Sequence, residues 1–172
     1  MNLFLRNICI AAAWTLLPPG LAFAECNGAS WTPDSRYKAH GDEVLDTTTH
    51  LTWKRCAQGM TWTGKTCKGT LKEMPWTDVV RTLPTQGKGW RVPSKDELAT
   101  LLSGSKEKRS GCWNPAINTT VFPGGQDNNY VWSSSVYDGD DSVAWLVVFG
   151  EGYPDSRFRR IDNAVRLVRG GR

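Results

Sequence analysis

Three absences narrow what this chain of 172 residues can do. It has two histidines, His40 and His50, and neither stands at a metal-ligand spacing from a second suitable side chain. It has no C-x-x-C pair, so zinc knuckles and thiol redox motifs are not indicated. No G-x-S-x-G elbow precedes a helix and no carboxylate pair is singled out by its surroundings, so hydrolysis has little support. We therefore predict no metal, no cofactor and no enzymatic activity.

Long apolar segments are also scarce. The run at residues 8–17 is shorter than the roughly 20 residues that a membrane-spanning helix needs. It follows Arg6 and precedes Ala22-Phe23-Ala24, which is the charged, apolar and small-x-small order of a secretory signal peptide. We predict cleavage at the end of residues 1–24 and a single exported domain at residues 25–172 that does not span a membrane. Its destination is the periplasm, the cell surface or the medium.

The charge is only modestly basic. The formal net charge of +4 includes Arg6, which leaves with the signal peptide. A nucleic-acid-binding domain usually needs a dense basic patch, and this excess does not supply one. We predict no nucleic-acid partner.

Four cysteines remain after the signal peptide, and an even count in an exported domain favours two disulfides. Cys56 and Cys67 are close enough in sequence to close a short loop. This pairing leaves Cys26 and Cys112 to tie the N-terminal segment to the body of the domain. Four cysteines allow three pairings, and the sequence alone leaves the other two open.

Strand and turn patterns dominate the mature chain. Residues 43–54 read as a hairpin with its turn at Thr47-Thr48-Thr49. Two short helices are predicted, one from Pro75 to about Leu83 and one after the capping-box sequence Ser94-Lys95-Asp96-Glu97.

Further strands are predicted after Cys112, at residues 131–135, 143–149, 157–161 and 164–169. The second of these has apolar residues on both faces, as in a central strand that is covered on both sides. Together these elements predict an α+β domain, in which two short helices pack on a mostly antiparallel sheet with long loops.

Several phrases of this sequence, taken together and in order, resemble one known family. The phrases are "LTWKRC", "GKTCKG", "GWRVPSKDEL", "CWNPAIN", "VFPG", "WSSS" and "VRLVRGG". They are similar to the Lcl C-terminal domain family, a bacterial family long labelled a domain of unknown function. The resemblance runs from about Arg36 to Gly171, nearly the whole mature chain. One departure is Thr49-His50-Leu51, where the family usually has Thr-Gly-Leu.

The resemblance implies a C-type-lectin-like fold and an extracytoplasmic binding module. The family is named for the C-terminal domain of a collagen-like adhesin that binds sulfated glycosaminoglycans, although this chain has no collagen-like stalk. Many C-type lectins hold sugars through calcium, but their Glu-Pro-Asn, Gln-Pro-Asp and Trp-Asn-Asp motifs are missing here. We interpret the acidic run at residues 138–141 as a solvated turn.

Basic residues supply the first candidate contacts for a ligand. In a strand, Arg157 and Arg159 share a face, and with Arg160 their guanidinium groups suit sulfate, phosphate or carboxylate. Lys65 and Lys68, on the loop around Cys56 and Cys67, extend such a patch if the fold brings them near. The alternative is that the arginines protect an edge strand from aggregation.

Tryptophans supply the other candidate. Most of the eight that remain after the signal peptide occupy apolar strand or helix-entry patterns and are predicted to be core. Trp62, inside the glycine-rich cysteine loop, is the exception. Arg166 and Arg169, in the closing phrase, are expected to hydrogen-bond loop carbonyls.

The sequence therefore predicts an exported, disulfide-linked module that binds an anionic or surface polysaccharide. The predicted contacts are Arg157, Arg159, Arg160, Trp62, Lys65 and Lys68. Two alternatives stay open: a subunit that binds a protein of a cell-envelope assembly, and a hydrolase of cell-wall polysaccharide.

Overall fold

The computed structural model describes residues 32–83, 87–103, 115–124 and 130–171. The predicted signal peptide, Cys26 and Cys112 lie outside these residues. No helix in the described ranges is long and apolar enough to cross a membrane.

The described residues form nine strands and two α-helices, preceded by a short 3-10 turn at Asp34–Arg36. The strands are β1 (Tyr37–His40), β2 (Glu43–Asp46), β3 (Leu51–Lys54), β4 (Met60–Trp62), β5 (Cys67–Gly69), β6 (Tyr130–Val136), β7 (Val143–Val148), β8 (Tyr153–Phe158) and β9 (Val168–Gly170). The helices are α1 (Trp76–Thr82) and α2 (Lys95–Ala99).

The strands form two larger sheets and one small hairpin. One sheet has the order β1-β2-β3-β9, the other has the order β6-β7-β8, and β4 pairs with β5 alone. Every strand pair within these sheets is antiparallel. The predicted α+β class with a mostly antiparallel sheet is confirmed.

The predicted first hairpin is confirmed as β2 and β3, with Glu43 opposite Lys54. In its turn, the Thr48 backbone N–H donates to the Asp46 carboxylate, and His50 adopts a φ of 58°. This left-handed conformation costs most side chains roughly 1–2 kcal/mol, which explains why the resembling family usually has glycine at the position of His50. Strand β1 was not predicted, because three of its four side chains are exposed and it carries no apolar alternation.

Both predicted helices are confirmed. Helix α1 begins directly after Pro75, whose fixed φ suits a helix entry. Helix α2 has a complete capping box: the Ser94 Oγ accepts from the Glu97 N–H at 3.1 Å, and Glu97 accepts from the Ser94 N–H at 2.8 Å. The Glu97 carboxylate also pairs with Arg91, whose guanidinium donates to the Gly170 carbonyl, so the cap ties α2 to the end of β9.

Strand β7 lies between β6 and β8 and is covered on both faces, as predicted. Val147 and Phe149, which directly follows β7, contribute to a first core that also contains Trp53, Leu98, Leu101 and Phe122. The opposite face contributes Ala144, Leu146 and Val148 to a second core with Trp76, Val79, Trp90 and Trp132. The prediction that most tryptophans are core is confirmed for Trp53, Trp76, Trp90 and Trp132.

Two strand boundaries were predicted wrongly. Strand β8 begins at Tyr153 and ends at Phe158, where residues 157–161 were expected. It is an edge strand with Pro154 and no fully buried side chain, so no apolar pattern marks where it starts. In the closing segment only Val168–Gly170 is a strand, and residues 163–167 are buried irregular backbone.

Candidate functional site

An open groove of about 620 Å³ lies between the first hairpin and the disulfide-closed segment from Cys56 to the end of β5, which we call the cysteine loop (residues 56–69). Three segments far apart in sequence line it. The lining residues are Asp42, Lys54, Cys56, Ala57, Gln58, Gly59, Met60, Thr61, Trp62 and Leu167. Clefts of this size are common binding sites for small molecules and for parts of larger ligands.

A disulfide joins Cys56 to Cys67 and holds the cysteine loop closed, with their Cα atoms 5.6 Å apart. The favoured pairing is therefore confirmed, while its companion pair of Cys26 and Cys112 lies outside the described residues. Inside the loop, β4 and β5 pair so that Trp62 stands opposite Cys67. Gly59 turns the chain at a φ of 89°, and a Cβ there would lie 2.4 Å from the Thr70 carbonyl oxygen. Only glycine fits this approach.

Trp62 forms one wall of the groove and is half-buried. The Arg55 guanidinium carbon lies 3.8 Å from its ring centroid, and Arg55 also donates to the Val121 carbonyl at 2.9 Å. Arg55 does not line the groove, so this stack supports the ring without occupying the cleft. Burial lowers the pKa of Arg55.

Asp42 and Lys54 place one acceptor and one donor in the groove. The Lys54 Nζ donates to the Asp42 Oδ2 at 2.6 Å and lies 4.5 Å from the Trp90 ring centroid. Their closeness follows from the hairpin, since Asp42 directly precedes the cross-strand pair of Glu43 and Lys54. The hydrogen bond from Lys54 lowers the pKa of Asp42, which favours the carboxylate form of Asp42.

Arg166 directly precedes the groove residue Leu167 and is fully buried, with 1% of its surface exposed. Its Nη1 donates to the carbonyls of Lys54 and Arg55, at 2.8 and 2.5 Å, and its guanidinium lies 5.0 Å from the Phe122 ring centroid. Burial lowers the pKa of Arg166 to about 10. The predicted bonding to loop carbonyls is confirmed for Arg166. Arg169 instead forms an ion pair with Glu43 at 2.5 Å.

Lys65 and Lys68 are exposed on the β4–β5 hairpin, outside the groove lining. Lys68 stands opposite Thr61 in the strand pair, and Lys65 lies in the turn. Among the described residues, neither lysine has a carboxylate within ion-pair distance. Lys68 points to the face of the hairpin opposite Trp62, because Trp62 is paired with Cys67 and successive strand side chains alternate between faces. Both lysine charges are open to solvent.

The three predicted arginines are partly engaged by the protein itself. Arg157 pairs with Asp155 at 3.3 Å and lies 4.8 Å from the Tyr130 ring centroid. Arg159 lies 4.4 Å from the Trp76 ring centroid and donates to a backbone carbonyl at 3.0 Å. Tyr130 and Trp76 both pack on the second core, so the two arginines share a face of the sheet.

Arg160 is exposed and stacks on the Phe158 ring at 4.5 Å. Among the described residues, no hydrogen bond, ion pair or ring contact links Arg157, Arg159 or Arg160 to the cysteine loop. The structure thus places the predicted contacts in two groups. The arginines lie at the end of β8, and Trp62, Lys65 and Lys68 lie on the cysteine loop.

The acidic run at residues 138–141 forms an exposed turn, as predicted. The Asp140 carboxylate accepts from the Ser142 N–H at 2.7 Å, and hydrogen bonds from Ser142 lower its pKa. In the described ranges, no group of three or more metal-ligating side chains comes together.

Sequence reasoning missed Asp42, Lys54 and Gln58 as groove residues. The hairpin register could have placed Asp42 beside Lys54, because the turn at Thr47-Thr48-Thr49 fixes which residues of the two strands are opposed. Nothing in the sequence shows that Leu167 joins them.

The comparison with known families agrees with the resemblance carried by the sequence phrases. The model of the Lcl C-terminal domain matches residues 42–169, which is well over half of the chain and includes every residue that lines the groove. No curated protein and no solved structure gives a significant match.

Proposed function

The chain belongs to the Lcl C-terminal domain family, and on this premise we propose that it is an exported, C-type-lectin-like module that binds an anionic polysaccharide of a cell surface. It binds its ligand and does not cleave it. Residues 1–24 are removed on export, and residues 25–172 form one domain.

One observation carries the proposal: a half-buried tryptophan and two exposed lysines, which pair with no carboxylate of the described residues, lie on one disulfide-closed hairpin beside an open groove. Aromatic rings pack against the apolar faces of sugars, and ammonium groups attract sulfate or carboxylate. A closed loop pre-orients Trp62, Lys65 and Lys68, so less ordering entropy is lost on binding.

The arginines at the end of β8 form a second basic surface. Arg160 and Arg157 are exposed, whereas Arg159 is held by the Trp76 ring and a backbone carbonyl. A polysaccharide is long enough to contact both surfaces, with Arg157 and Arg160 adding charge attraction at a distance from the groove.

Retention on immobilised heparin tests the proposal. We expect the folded mature protein to bind at low salt and to elute earlier as the salt concentration rises, since salt screens exposed charges. Lys65→Ser combined with Lys68→Ser should lower the elution salt clearly. The matched control is Lys38→Ser combined with Arg81→Ser, which removes the same charge from β1 and α1. Absence of retention, or equal losses in the two double variants, would contradict the proposal.

A protein partner in a cell-envelope assembly is the second candidate. It is favoured by exposed apolar side chains on and just beyond the edge strand β8, namely Tyr153, Phe158 and Ile161. Exposed edges and apolar side chains are the usual elements of strand-to-strand docking. A pull-down from envelope extract with wild type and Phe158→Asp should then recover a partner only with wild type, irrespective of added sulfated glycan. If both baits recover the same proteins, this candidate is wrong.

A further inference from the structure

We propose that the groove is a subsite for one uncharged pyranose ring of the polysaccharide, with the ring packed on Trp62 and its hydroxyls bonded to Asp42 and Lys54. The inference rests on the proposed glycan-binding function and names the part of the ligand that the groove takes. Sulfate or carboxylate groups of neighbouring sugars would lie outside, near Lys65 and Lys68.

The aromatic wall supports this assignment. Pyranose rings have an apolar face of C–H groups that packs on flat aromatic side chains. Trp62 lines the groove, and Arg55 holds its ring from outside the lining at 3.8 Å. The ring is thereby fixed before a ligand arrives, and Arg55 is itself fixed by its bond to the Val121 carbonyl.

The pair of Asp42 and Lys54 also supports the assignment of a sugar ring to the groove. Sugar hydroxyls donate and accept at the same time, and adjacent hydroxyls suit a carboxylate next to an ammonium. Asp42 and Lys54 present these two groups 2.6 Å apart in the groove, where 56% of the Asp42 side-chain surface and 28% of that of Lys54 are accessible. Hydrogen bonds to charged groups are stronger than those between neutral partners.

The pairing of charges argues for a neutral sugar ring over an anion. Among the described residues, Asp42 is the only carboxylate in the groove lining, and it forms an ion pair with Lys54, whose Nζ also lies 3.9 Å from the Glu43 carboxylate. An anionic group placed here would meet the Asp42 charge directly. A calcium ion would need several oxygen ligands with net negative charge, which a single lysine-paired carboxylate does not supply. Binding in the groove should therefore be insensitive to both salt and chelator.

Apolar side chains complete the groove. Ala57, Met60 and Leu167 line it next to the polar pair. They exclude water from the C–H face of a ring while the pair holds its hydroxyls, which is the mixed lining typical of small-ligand sites.

The ¹⁹F NMR spectrum of the mature protein labelled with 5-fluorotryptophan tests the inference. The probes are cellotetraose, β-1,4-galactotetraose, β-1,4-mannotetraose and chitotetraose, each titrated at high salt with chelator present. We expect at least one probe to shift the Trp62 resonance, which is assigned from the spectrum of Trp62→Phe. If no probe shifts this resonance, or if a probe shifts only other tryptophans, the inference is overturned.

Matched variants separate the groove from the rest of the surface. Trp62→Phe and Asp42→Asn should each weaken binding of the neutral probe about tenfold. Trp145→Phe and Asp138→Asn should leave it unchanged. Trp145 is a suitable control because it is also half-buried and also lies under a cation, with the Lys95 Nζ 4.6 Å from its ring centroid. Equal effects in the test and control variants would contradict the assignment.

The outcome also distinguishes the inference from the function on which it rests. If heparin retention is salt-sensitive but no neutral probe binds at Trp62, the proposed polysaccharide-binding function is kept and the proposed sugar subsite is rejected. If wild type is not retained on heparin, the proposal of an anionic ligand is rejected, whatever the results with the neutral probes.

Discussion

Arg166 is a buried cation on which the base of the groove depends. It donates to the carbonyls of Lys54 and Arg55, the residues that carry the groove ammonium and support Trp62. Arg166→Met would leave both carbonyls without this donor in a buried site. We expect a loss of roughly 2–4 kcal/mol in the free energy of unfolding, measured by urea denaturation.

The matched control for Arg166 is Arg160→Met, which removes an exposed arginine whose contact within the described part of the chain is with the Phe158 ring. It should change the free energy of unfolding by no more than about 0.5 kcal/mol. If Arg166→Met is as stable as this control, the two carbonyls do not depend on Arg166.

Tyr37 is a buried phenol whose hydroxyl has no hydrogen-bond partner among the described residues. Burial raises the pKa of Tyr37 to about 12 from the ordinary value of 10.0. The folded state thus keeps a proton that the unfolded state loses, so Tyr37 makes stability fall as the pH rises from about 10 to 12. Tyr37→Phe keeps the edge-to-face contact with Phe122 and removes both the unpaired hydroxyl and this titration.

We expect Tyr37→Phe to be about 1 kcal/mol more stable than wild type at pH 7. Its advantage should grow by roughly 2 kcal/mol between pH 10 and 12, because in wild type the unfolded state is stabilised by ionising Tyr37 while the folded state keeps the proton. Urea denaturation of both proteins at pH 7, 10 and 12 measures the difference. A constant difference across this range would show that Tyr37 titrates normally in the folded state.

At the scale of elements, the parts that were predicted well carry local signals. The capping box from Ser94 to Glu97 and the proline before α1 satisfy helix-end backbone groups within a few residues, so sequence alone shows them. Strands β1 and β8 lack such signals, since each lies at the edge of a sheet with mostly exposed side chains. Their positions depend on the partner strand rather than on their own residues.

The cysteine loop is the element on which both proposals depend. Replacing Cys56 and Cys67 together by alanine removes a crosslink across 11 residues of separation, which should lower the free energy of unfolding by about 3 kcal/mol. It should also free the β4–β5 hairpin, which has only three residue pairs, and so weaken both heparin retention and neutral-sugar binding.

A thiol assay of the unfolded, unreduced mature protein should find no reactive group at Cys56 or Cys67. Unchanged heparin retention and unchanged neutral-sugar binding in the double variant would show that the closed loop is not the binding element. Treatment of wild type with a reductant should reproduce the effect of the double variant at this loop.

At the scale of the whole molecule, the fold class was predictable and the groove was not. Apolar residues on both faces of β7 require a layer on each side, and this pattern already indicates an α+β domain. The groove instead combines Asp42, the segment from Lys54 to Trp62 and Leu167. Such a combination depends on long-range packing, which local sequence patterns do not predict.

Strand β7 also determines how the domain unfolds. It contributes Val147 to the first core and Leu146 to the second, so neither core is complete without it. A single cooperative transition follows, in which damage to either core destabilises both. Leu146→Ala should cost about 2–5 kcal/mol, and Val147→Ala somewhat less because it removes fewer carbon atoms. Each variant should shift one common transition, followed by tryptophan fluorescence and by far-ultraviolet circular dichroism. Two separate transitions, or probes that disagree in one variant only, would show that the cores are independent units and that residues 25–172 do not form one domain.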